Sequence, residues 1–381
     1  MSTMPDMYAP ASLPPAMGGP HDHRGSPIPT GRMIAARFME LRKRRGLMIA
    51  LILVDVGIPT IFLLIRLLAH AFAPRSYGPA GGYDIFAVLV AGVISTFGFI
   101  VAATVGCTAG SADLTEGMFR HLVVTGRSRL ALYLARIPAG LGVIVPLVAI
   151  GYTIVCLVCV FSAPTSISYQ GLNAPAGLSS SGFESWAAGH AKPVVCSFPY
   201  TGSVPANIPC GHNASSPPPG ASQPTPAALK SLAIRMARQN YPSYKTVFLY
   251  PSNSLMTTSG LWIELEAAVG FVVGLGLASL LGQRTVPVLL IVVLEVILTP
   301  IFSTHHIAHL LNLQRSVVGL AMAHLEPRGL PLVLAGSGGG PEAGARAHLP
   351  PESTTVAVVV ILAWLVGWTI LGAWRMATRD A

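Results

Sequence analysis

Charged residues are scarce in this 381-residue sequence: Asp, Glu, Lys and Arg make up 10% of it, and hydrophobic residues make up 52%. Soluble domains carry about 25% charged residues, so this composition excludes an ordinary soluble protein. The apolar residues also fall in runs of roughly 20 with almost no charge, which is the length that crosses about 30 Å of hydrocarbon. The sequence therefore predicts an all-α, multi-pass membrane protein.

Motifs of nucleotide-binding proteins and enzymes are also missing. The sequence has no Gly-Lys-Ser or Gly-Lys-Thr, which the phosphate-binding loop of a P-loop ATPase requires, and no His-Glu-x-x-His or Gly-x-Ser-x-Gly. The net charge of +9 does not indicate a nucleic-acid partner, because the basic residues flank apolar runs instead of covering a soluble face. We therefore predict neither enzymatic activity nor a resident cofactor.

Hydropathy predicts six membrane spans, and the basic residues near their ends predict their direction. The spans are expected at 47–72, 84–110, 131–161, 258–282, 285–303 and 354–374. Most of the arginines close to span ends fall on one side, which favours cytoplasmic placement of both termini. The excess of Arg over Lys and the abundance of Ala and Gly favour a bacterial origin, and hence the cell membrane.

The regions between and before the spans differ in composition, which predicts their organisation. Residues 1–31 are rich in Pro, Gly, Met and Ser and are expected to form a disordered cytoplasmic tail. The remaining regions are predicted as an amphipathic helix at 32–46, a cytoplasmic segment at 111–129, an extracytoplasmic loop at 162–257, a second such loop with an amphipathic helix at 304–353, and a short cytoplasmic tail after the sixth span.

The predicted N-terminal helix combines dense positive charge with one apolar stripe. Ile34, Phe38 and Leu41 are spaced i, i+4 and i+7, so they share one face, while arginines crowd the rest of the helix. Such a helix lies at the membrane interface with its cations against anionic headgroups. Two interpretations stay open: a positively charged anchor only, or a helix that also contacts a cytoplasmic partner.

The segment between the second and third spans carries the most informative motif. Asp113 and Glu116 precede Gly117, an amphipathic piece follows at 118–124, and Thr125-Gly126 is a helix stop signal. In this segment the sequence resembles the permease subunits of ABC-2 type ABC transporters, which have six spans, an N-terminal elbow helix and a coupling helix after the second span. The matching residues are Glu116, Gly117, Phe119, Arg120, Leu122, Ser128 and Arg129, with Met118 where Thr is frequent in the family.

The resemblance covers the six-span skeleton, about half of the chain, and it implies a function. Members of the family move a substrate across the membrane with ATP hydrolysed by a separate ATPase subunit, and export is the direction expected here. The resemblance implies a partner ATPase, a second permease subunit, and coupling through Glu116, Phe119, Arg120, Leu122 and Arg129. Two alternatives remain: an ordinary basic loop at this position, and a non-transporting membrane scaffold whose outer loop binds an envelope partner.

Carboxylates inside apolar spans are energetically unfavourable and normally face the bundle interior or a wet cavity. Asp55 in the first span and Glu295 in the fifth are therefore candidate pathway residues, or alternatively hydrogen-bonded carboxyls that join helices. Glu264 and Glu266 are predicted in the first turns of the fourth span, where the helix dipole favours acids.

Two further patterns concern packing and covalent structure. Small residues repeat every four positions in the second and fourth spans, which predicts close helix packing; they are Ala102, Gly106, Gly110, Gly270, Gly274 and Ala278. Cys196 and Cys210 both fall in the predicted outer loop, where disulfides persist, so we predict a bridge between them.

Overall fold

A computed structural model of the chain shows a helical bundle with a small folded region between two of its spans. The structure describes residues 28–73, 80–115, 128–169, 172–197, 225–247, 251–304, 308–327, 330 and 352–378. Below, the membrane-length helices are called the first to sixth span, and the other helices are numbered α1 to α6 in chain order.

The structure confirms six helices that are long and apolar enough to cross a membrane within the described residues. They are Arg45–Phe72, Ile85–Ala112, Arg129–Phe161, Asn253–Leu281, Thr285–Phe302 and Thr354–Thr378. Five of the six begin within two residues of their predicted starts. The fourth begins earlier than predicted, because Ser252 caps it by accepting a hydrogen bond from the Leu255 amide at 3.2 Å.

Three spans contain a π-helical segment in which the backbone widens. These segments are Leu53–Gly57 in the first span, Val88–Ser95 in the second and Val293–Leu298 in the fifth. π-Helical turns are rare and are found frequently at functional sites. Asp55, Ser95 and Glu295 all lie in these segments.

Contacts between span ends show that successive spans run antiparallel. The start of the third span contacts the end of the second through Arg136 and Gly110, and the Gly82 amide donates to the Cys159 carbonyl at the other end. One end of the bundle, called the basic end below, therefore carries the starts of spans one, three and five. The basic residues there are Arg32, Arg37, Arg42, Lys43, Arg44, Arg45, Arg129, Arg136, Arg284 and Arg375.

The fourth span is the central helix of the bundle and packs closely against the second, as the small-residue pattern predicts. A methyl group at Gly110 would lie 2.6 Å from the Leu275 carbonyl oxygen, and one at Gly270 would lie 2.6 Å from that of Phe99. Gly106 and Gly274 lie closer still to the opposite backbone, at the carbonyl oxygens of Phe271 and Ala103. Glycine at these positions lets the two helices approach to backbone contact, which drives association where no hydrophobic effect operates.

Helix α1 (Gly31–Lys43) packs its apolar side against the third span. Leu41 and Met33 are buried, and Met33 forms a cluster with Ala131, Leu132 and Ala135. The Phe38 ring lies 3.7 Å from the position of a side chain at Gly142. The stripe predicted from sequence thus packs against the bundle, with Leu41 buried and Ile34 and Phe38 partly buried.

The region between the third and fourth spans has its own core. Strands β1 (Ser166–Tyr169) and β2 (Leu172–Pro175) form an antiparallel hairpin with Ser166 opposite Pro175. The described residues that follow contain the helices α2 (Ser180–Gly189), α3 (Ala191–Ser197) and α4 (Pro226–Val247). We call residues 166–247 the inserted region.

Aromatic side chains hold the inserted region together. The rings of Phe183 and Tyr244 stack with centroids 4.2 Å apart, and Trp186 also stacks with Phe183, at 5.6 Å. The Tyr244 hydroxyl donates to the Pro175 carbonyl and accepts from the Leu178 amide. Phe183 and Tyr244 are fully buried, so α2, α4 and the hairpin form one hydrophobic cluster.

A short helix enters the bundle between the fifth and sixth spans. After a single 3₁₀ turn (Ala308–Leu310), α5 (Leu311–Arg315) leads into α6 (Val318–Leu325). Residues 318–323 of α6 are all buried. Trp262 of the fourth span donates to the Met322 carbonyl at 3.0 Å, and Trp364 of the sixth span donates to that of Ser316 at 2.8 Å. This burial satisfies the rule that non-spanning backbone within a membrane must be covered by protein.

Candidate functional site

The predicted coupling residues Glu116, Phe119, Arg120 and Leu122 lie outside the described residues. The structure does describe both ends of the segment that carries them. The Arg136 guanidinium donates a hydrogen bond to the Gly110 carbonyl oxygen at 3.2 Å, and this arginine side chain is buried. The hydroxyl of Ser279, in the fourth span, donates to the same carbonyl at 3.4 Å. Gly110 thus joins three spans at the basic end.

Arg129, the last of the predicted coupling residues, opens the third span. Its guanidinium donates to the Ala377 carbonyl oxygen at 3.2 Å, next to the end of the sixth span. Ser128 caps the same helix by accepting from the Ala131 amide at 3.1 Å. Arg129 therefore links the start of the third span to the end of the sixth.

An ion-pair group on α1 lies beside this region. Arg37 contacts Glu40 at 2.6 Å, and Arg44 contacts the other oxygen of Glu40 at 3.5 Å. These side chains line a small cavity with Ala109 and Arg136. Helix α1 therefore lies across this small cavity from the end of the second span, and through Met33 it packs against the start of the third.

The two candidate pathway carboxylates occupy different environments. Asp55 is 4% exposed and lies where the first span touches the third. A side chain at Gly151 of the third span would collide with the Asp55 carbonyl oxygen. Glu295 instead faces α6: a methyl group at Gly319 would lie 2.8 Å from its Oε2 atom.

Glu266 lies near Glu295, a proximity that the sequence did not indicate. The two carboxylates are close enough to interact electrostatically, and Ser95 of the second span lies beside Glu266. One oxygen of each carboxylate is buried without a hydrogen-bond partner among the described residues. We call Glu266 and Glu295 the carboxylate pair.

The prediction that Glu264 and Glu266 lie in the first turns of the fourth span is wrong. The helix begins at Asn253, so Glu266 lies 13 residues, or about 20 Å, along it. The effect of the helix dipole fades within the first turn and does not stabilise Glu266. The polar residues at 253–258 concealed the helix start, since hydropathy favours a later one.

The cysteines divide into two groups. Cys196, at the end of α3, is disulfide-bonded. Cys107, Cys156 and Cys159 are free and lie within spans. Cys210 lies outside the described residues, so its pairing with Cys196 stays a prediction.

No family model, curated protein or solved structure matches the chain. Any functional proposal must therefore depend on the segment motif and on the contacts of the described residues around it.

Proposed function

We propose that this protein is the membrane-spanning permease subunit of an ATP-binding cassette transporter of the ABC-2 type. It moves a substrate, by export, with ATP hydrolysed by a separate ATPase subunit. A second permease subunit, identical or paired, completes the transport pathway. The protein lies in the cell membrane of a bacterium with both termini in the cytoplasm.

The observation that carries this proposal is the position of α1 at the basic end. It packs through Met33 on the start of the third span and lies with Arg136 beside the end of the second. Both helices continue into the segment with the Glu116–Arg129 motif. An elbow helix against both ends of a coupling segment is the arrangement that force transfer from a cytoplasmic ATPase needs.

In this mechanism, closure of the ATPase dimer displaces residues 116–127, and the Arg136–Gly110 contact carries the displacement into the bundle. Gly110 also accepts from Ser279, so the second, third and fourth spans shift as a unit. The α6 helix, held between the fourth and sixth spans, lies at the other end of this lever. Alternating access follows from the two positions of the lever.

Partner binding by the motif gives the direct test. Truncation of Phe119 to Ala removes an apolar anchor, and such anchors commonly contribute about 2 kcal/mol, or roughly 30-fold in affinity. Reversal of Arg120 to Glu adds an unfavourable charge. Both variants should insert normally and lose co-purification with an ABC ATPase encoded beside this chain.

The matched controls are Arg24→Glu, a charge reversal in the predicted tail, and deletion of residues 2–27. Both should retain the ATPase. Retention of wild-type ATPase binding and transport by Phe119→Ala and Arg120→Glu would show that the segment is an ordinary basic loop, and the proposal would fall.

Topology has an independent test. Cysteine labelling at Ser180, which is exposed in α2, should occur from outside the cell, and labelling at Ala381 should occur only from inside. Labelling of both positions from the same side would contradict the six-span arrangement with cytoplasmic termini.

The inserted region favours a second candidate function, a scaffold that binds an envelope partner. Its own core, centred on Phe183 and Tyr244, makes it a folded unit that can present a surface. This alternative would be supported if the protein formed a complex with an envelope protein in the absence of any ATPase. Deletion of residues 166–247 should then abolish that complex.

A further inference from the structure

The basic end contains a cavity that the transport proposal does not use. Its volume is about 570 Å³, within the range of roughly 300–1,000 Å³ typical of small-molecule sites. It lies between the starts of the first and fifth spans and the last turns of the second. We call it the basic cavity; its lining residues are Arg44, Arg45, Gly46, Leu47, Thr104, Thr108, Arg284, Thr285 and Val288.

The charge of this lining is entirely positive. Arg44, Arg45 and Arg284 contribute three guanidinium groups, and the lining contains no Asp or Glu. Arg44 shares its charge with Glu40 on α1. Arg45 and Arg284 are exposed and have no acidic partner within the part of the chain that the structure describes. Two of the three cations are therefore available to a ligand.

Two helix N-termini add to this positive potential. The first span begins at Arg45 and the fifth at Thr285, and neither start has a side-chain cap. The first amides of a helix have no partner inside it, and the helix dipole places partial positive charge there. Such termini are established binding sites for phosphate and other anions.

The two threonines of the second span line the cavity, but their hydroxyl protons are already used in hydrogen bonds to the backbone of their own helix. Thr104 donates its hydroxyl to the Ile100 carbonyl at 2.8 Å, and Thr108 donates to that of Thr104 at 2.9 Å. With a helical rise of 1.5 Å, these residues lie about 6–12 Å inside the end of the span at Ala112. The cationic donors thus lie near the span ends, and the threonines lie deeper along the second span.

The surroundings favour a lipid as the source of the anion. Ile49 and Leu289, one turn further along the first and fifth spans from Arg45 and Thr285, are 65% and 62% exposed. In a bilayer these side chains face acyl chains, while the mouth of the cavity lies at the level of the headgroups. Basic pockets between spans bind the headgroups of anionic lipids in this way.

We propose that the basic cavity binds the phosphate group of an anionic phospholipid, with Arg45 and Arg284 as its main ligands. The shared chemistry is a phosphate ester with a net negative charge, held by guanidinium groups and helix N-termini. This site does not depend on the ATPase assignment, because its geometry involves none of the residues between 116 and 127.

The test measures lipid binding to the purified full-length chain in neutral detergent by native mass spectrometry. The probes are dioctanoyl phosphatidylglycerol, dioctanoyl phosphatidylcholine and inorganic phosphate. We expect phosphatidylglycerol to bind more tightly than either of the other two. Equal binding of the zwitterionic lipid would contradict the proposal, and tighter binding of inorganic phosphate would reject a lipid as the ligand.

The variant pair is Arg45→Gln/Arg284→Gln, and its matched control is Arg42→Gln/Arg375→Gln. Both pairs remove two positive charges from exposed residues at the basic end, but only the first pair lines the cavity. Hydrogen bonds to charged groups are stronger than those between neutral groups, and the first pair loses two guanidinium donors. We therefore expect it to bind phosphatidylglycerol about 30-fold more weakly. The control should change binding by less than about threefold. Equal effects in the two pairs would overturn the site.

A charge-neutral variant separates the site from general electrostatic attraction. A Cβ atom at Gly46 meets no heavy atom within 4 Å, and Gly46 lines the cavity, so we expect Gly46→Phe to be tolerated and its ring to occupy part of the cavity. This variant should lose phosphatidylglycerol binding while it retains the wild-type elution volume in size-exclusion chromatography. Undiminished binding by a well-folded Gly46→Phe protein would contradict the assignment.

Discussion

Arg136 of the third span donates a hydrogen bond to the Gly110 carbonyl oxygen of the second span, with its side chain only 2% exposed. This contact bridges the two helices from which the predicted coupling segment extends. Because Gly110 also accepts from Ser279, the same carbonyl connects the segment to the central fourth span. The second, third and fourth spans are therefore joined at this one carbonyl oxygen.

The first prediction concerns this contact. Arg136→Gln removes a buried charge-assisted hydrogen bond, and such bonds contribute about 1.5–3 kcal/mol. We expect a lower melting temperature in detergent and reduced coupling between the ATPase and transport, with the ATPase still bound. Arg375→Gln, an exposed change at the same end, should alter neither. Wild-type melting of Arg136→Gln would show that the contact is energetically unimportant.

The second prediction tests the glycine contacts between the second and fourth spans. A methyl group at Gly106 would collide with the Phe271 carbonyl oxygen, whereas one at Gly98 in the same span meets no atom within 4 Å. Gly106→Ala should destabilise the bundle by about 1–3 kcal/mol through overpacking. Gly98→Ala should leave it unchanged or slightly more stable, because alanine favours helix.

Thermal unfolding followed by circular dichroism compares the two glycine variants directly. Both variants carry the same Gly→Ala substitution in the second span, and they differ in whether the added methyl group meets another helix. If both variants melt at the same temperature, the two spans separate enough to accept the methyl group, and the close packing described above is not important for stability.

Features that depend on nearby residues were predicted correctly from the sequence, with one exception. The spans were predictable because hydropathy is a property of consecutive residues, and the Gly106 and Gly274 repeats were predictable because helical spacing aligns them. The exception was the start of the fourth span, where a Ser252 cap and polar first turns precede the apolar run.

What could not be predicted depends on contacts between distant residues. Glu266 was interpreted as a helix-start residue, and only the fold brings it near Glu295. The stripe on α1 was predicted, but its partner, the third span, was not. Likewise, Phe183 and Tyr244 are 61 positions apart in the sequence, and nothing local predicts that their rings stack. The π-helical segments around Asp55 and Glu295 leave no recognised signal in the sequence.

The third prediction concerns pH and the inserted region. Arg238 donates two hydrogen bonds of 3.0 Å to Glu184, and these hold the pKa of the Glu184 carboxyl below its ordinary value. A lowered folded-state pKa stabilises the fold above the unfolded pKa and ceases to do so as the pH falls through the folded value. The contribution should therefore be complete at neutral pH and decline below about pH 4.3.

Protease resistance of the inserted region measures this effect. At neutral pH, Glu184→Gln should be cleaved faster than the wild-type protein, and the difference should disappear at acidic pH as wild-type Glu184 becomes protonated. The effect should be modest, because Arg238 is exposed and Glu184 is only partly buried, so solvent screens the pair. A difference of the same size at all pH values would contradict an ionic origin.

The fourth prediction concerns the carboxylate pair. Glu266 and Glu295 carry like charges when both are ionised, and each has a buried oxygen without a partner among the described residues. Under conditions in which both are ionised, replacement of either by Gln should relieve the repulsion and stabilise the bundle. Replacement of both should gain less than the sum of the single effects, with a coupling energy on the order of 0.5–3 kcal/mol.

A double-mutant cycle on melting in detergent provides the measurement, and Asp55 provides its control. Asp55 is buried against the third span, not against α6, so Asp55→Asn and Glu295→Gln should be additive within about 0.5 kcal/mol. A shared carboxylate site predicts coupling in the first cycle and additivity in the second. Additivity in both cycles would mean that Glu266 and Glu295 act as separate polar residues, and the case for a joint role in the pathway would be lost.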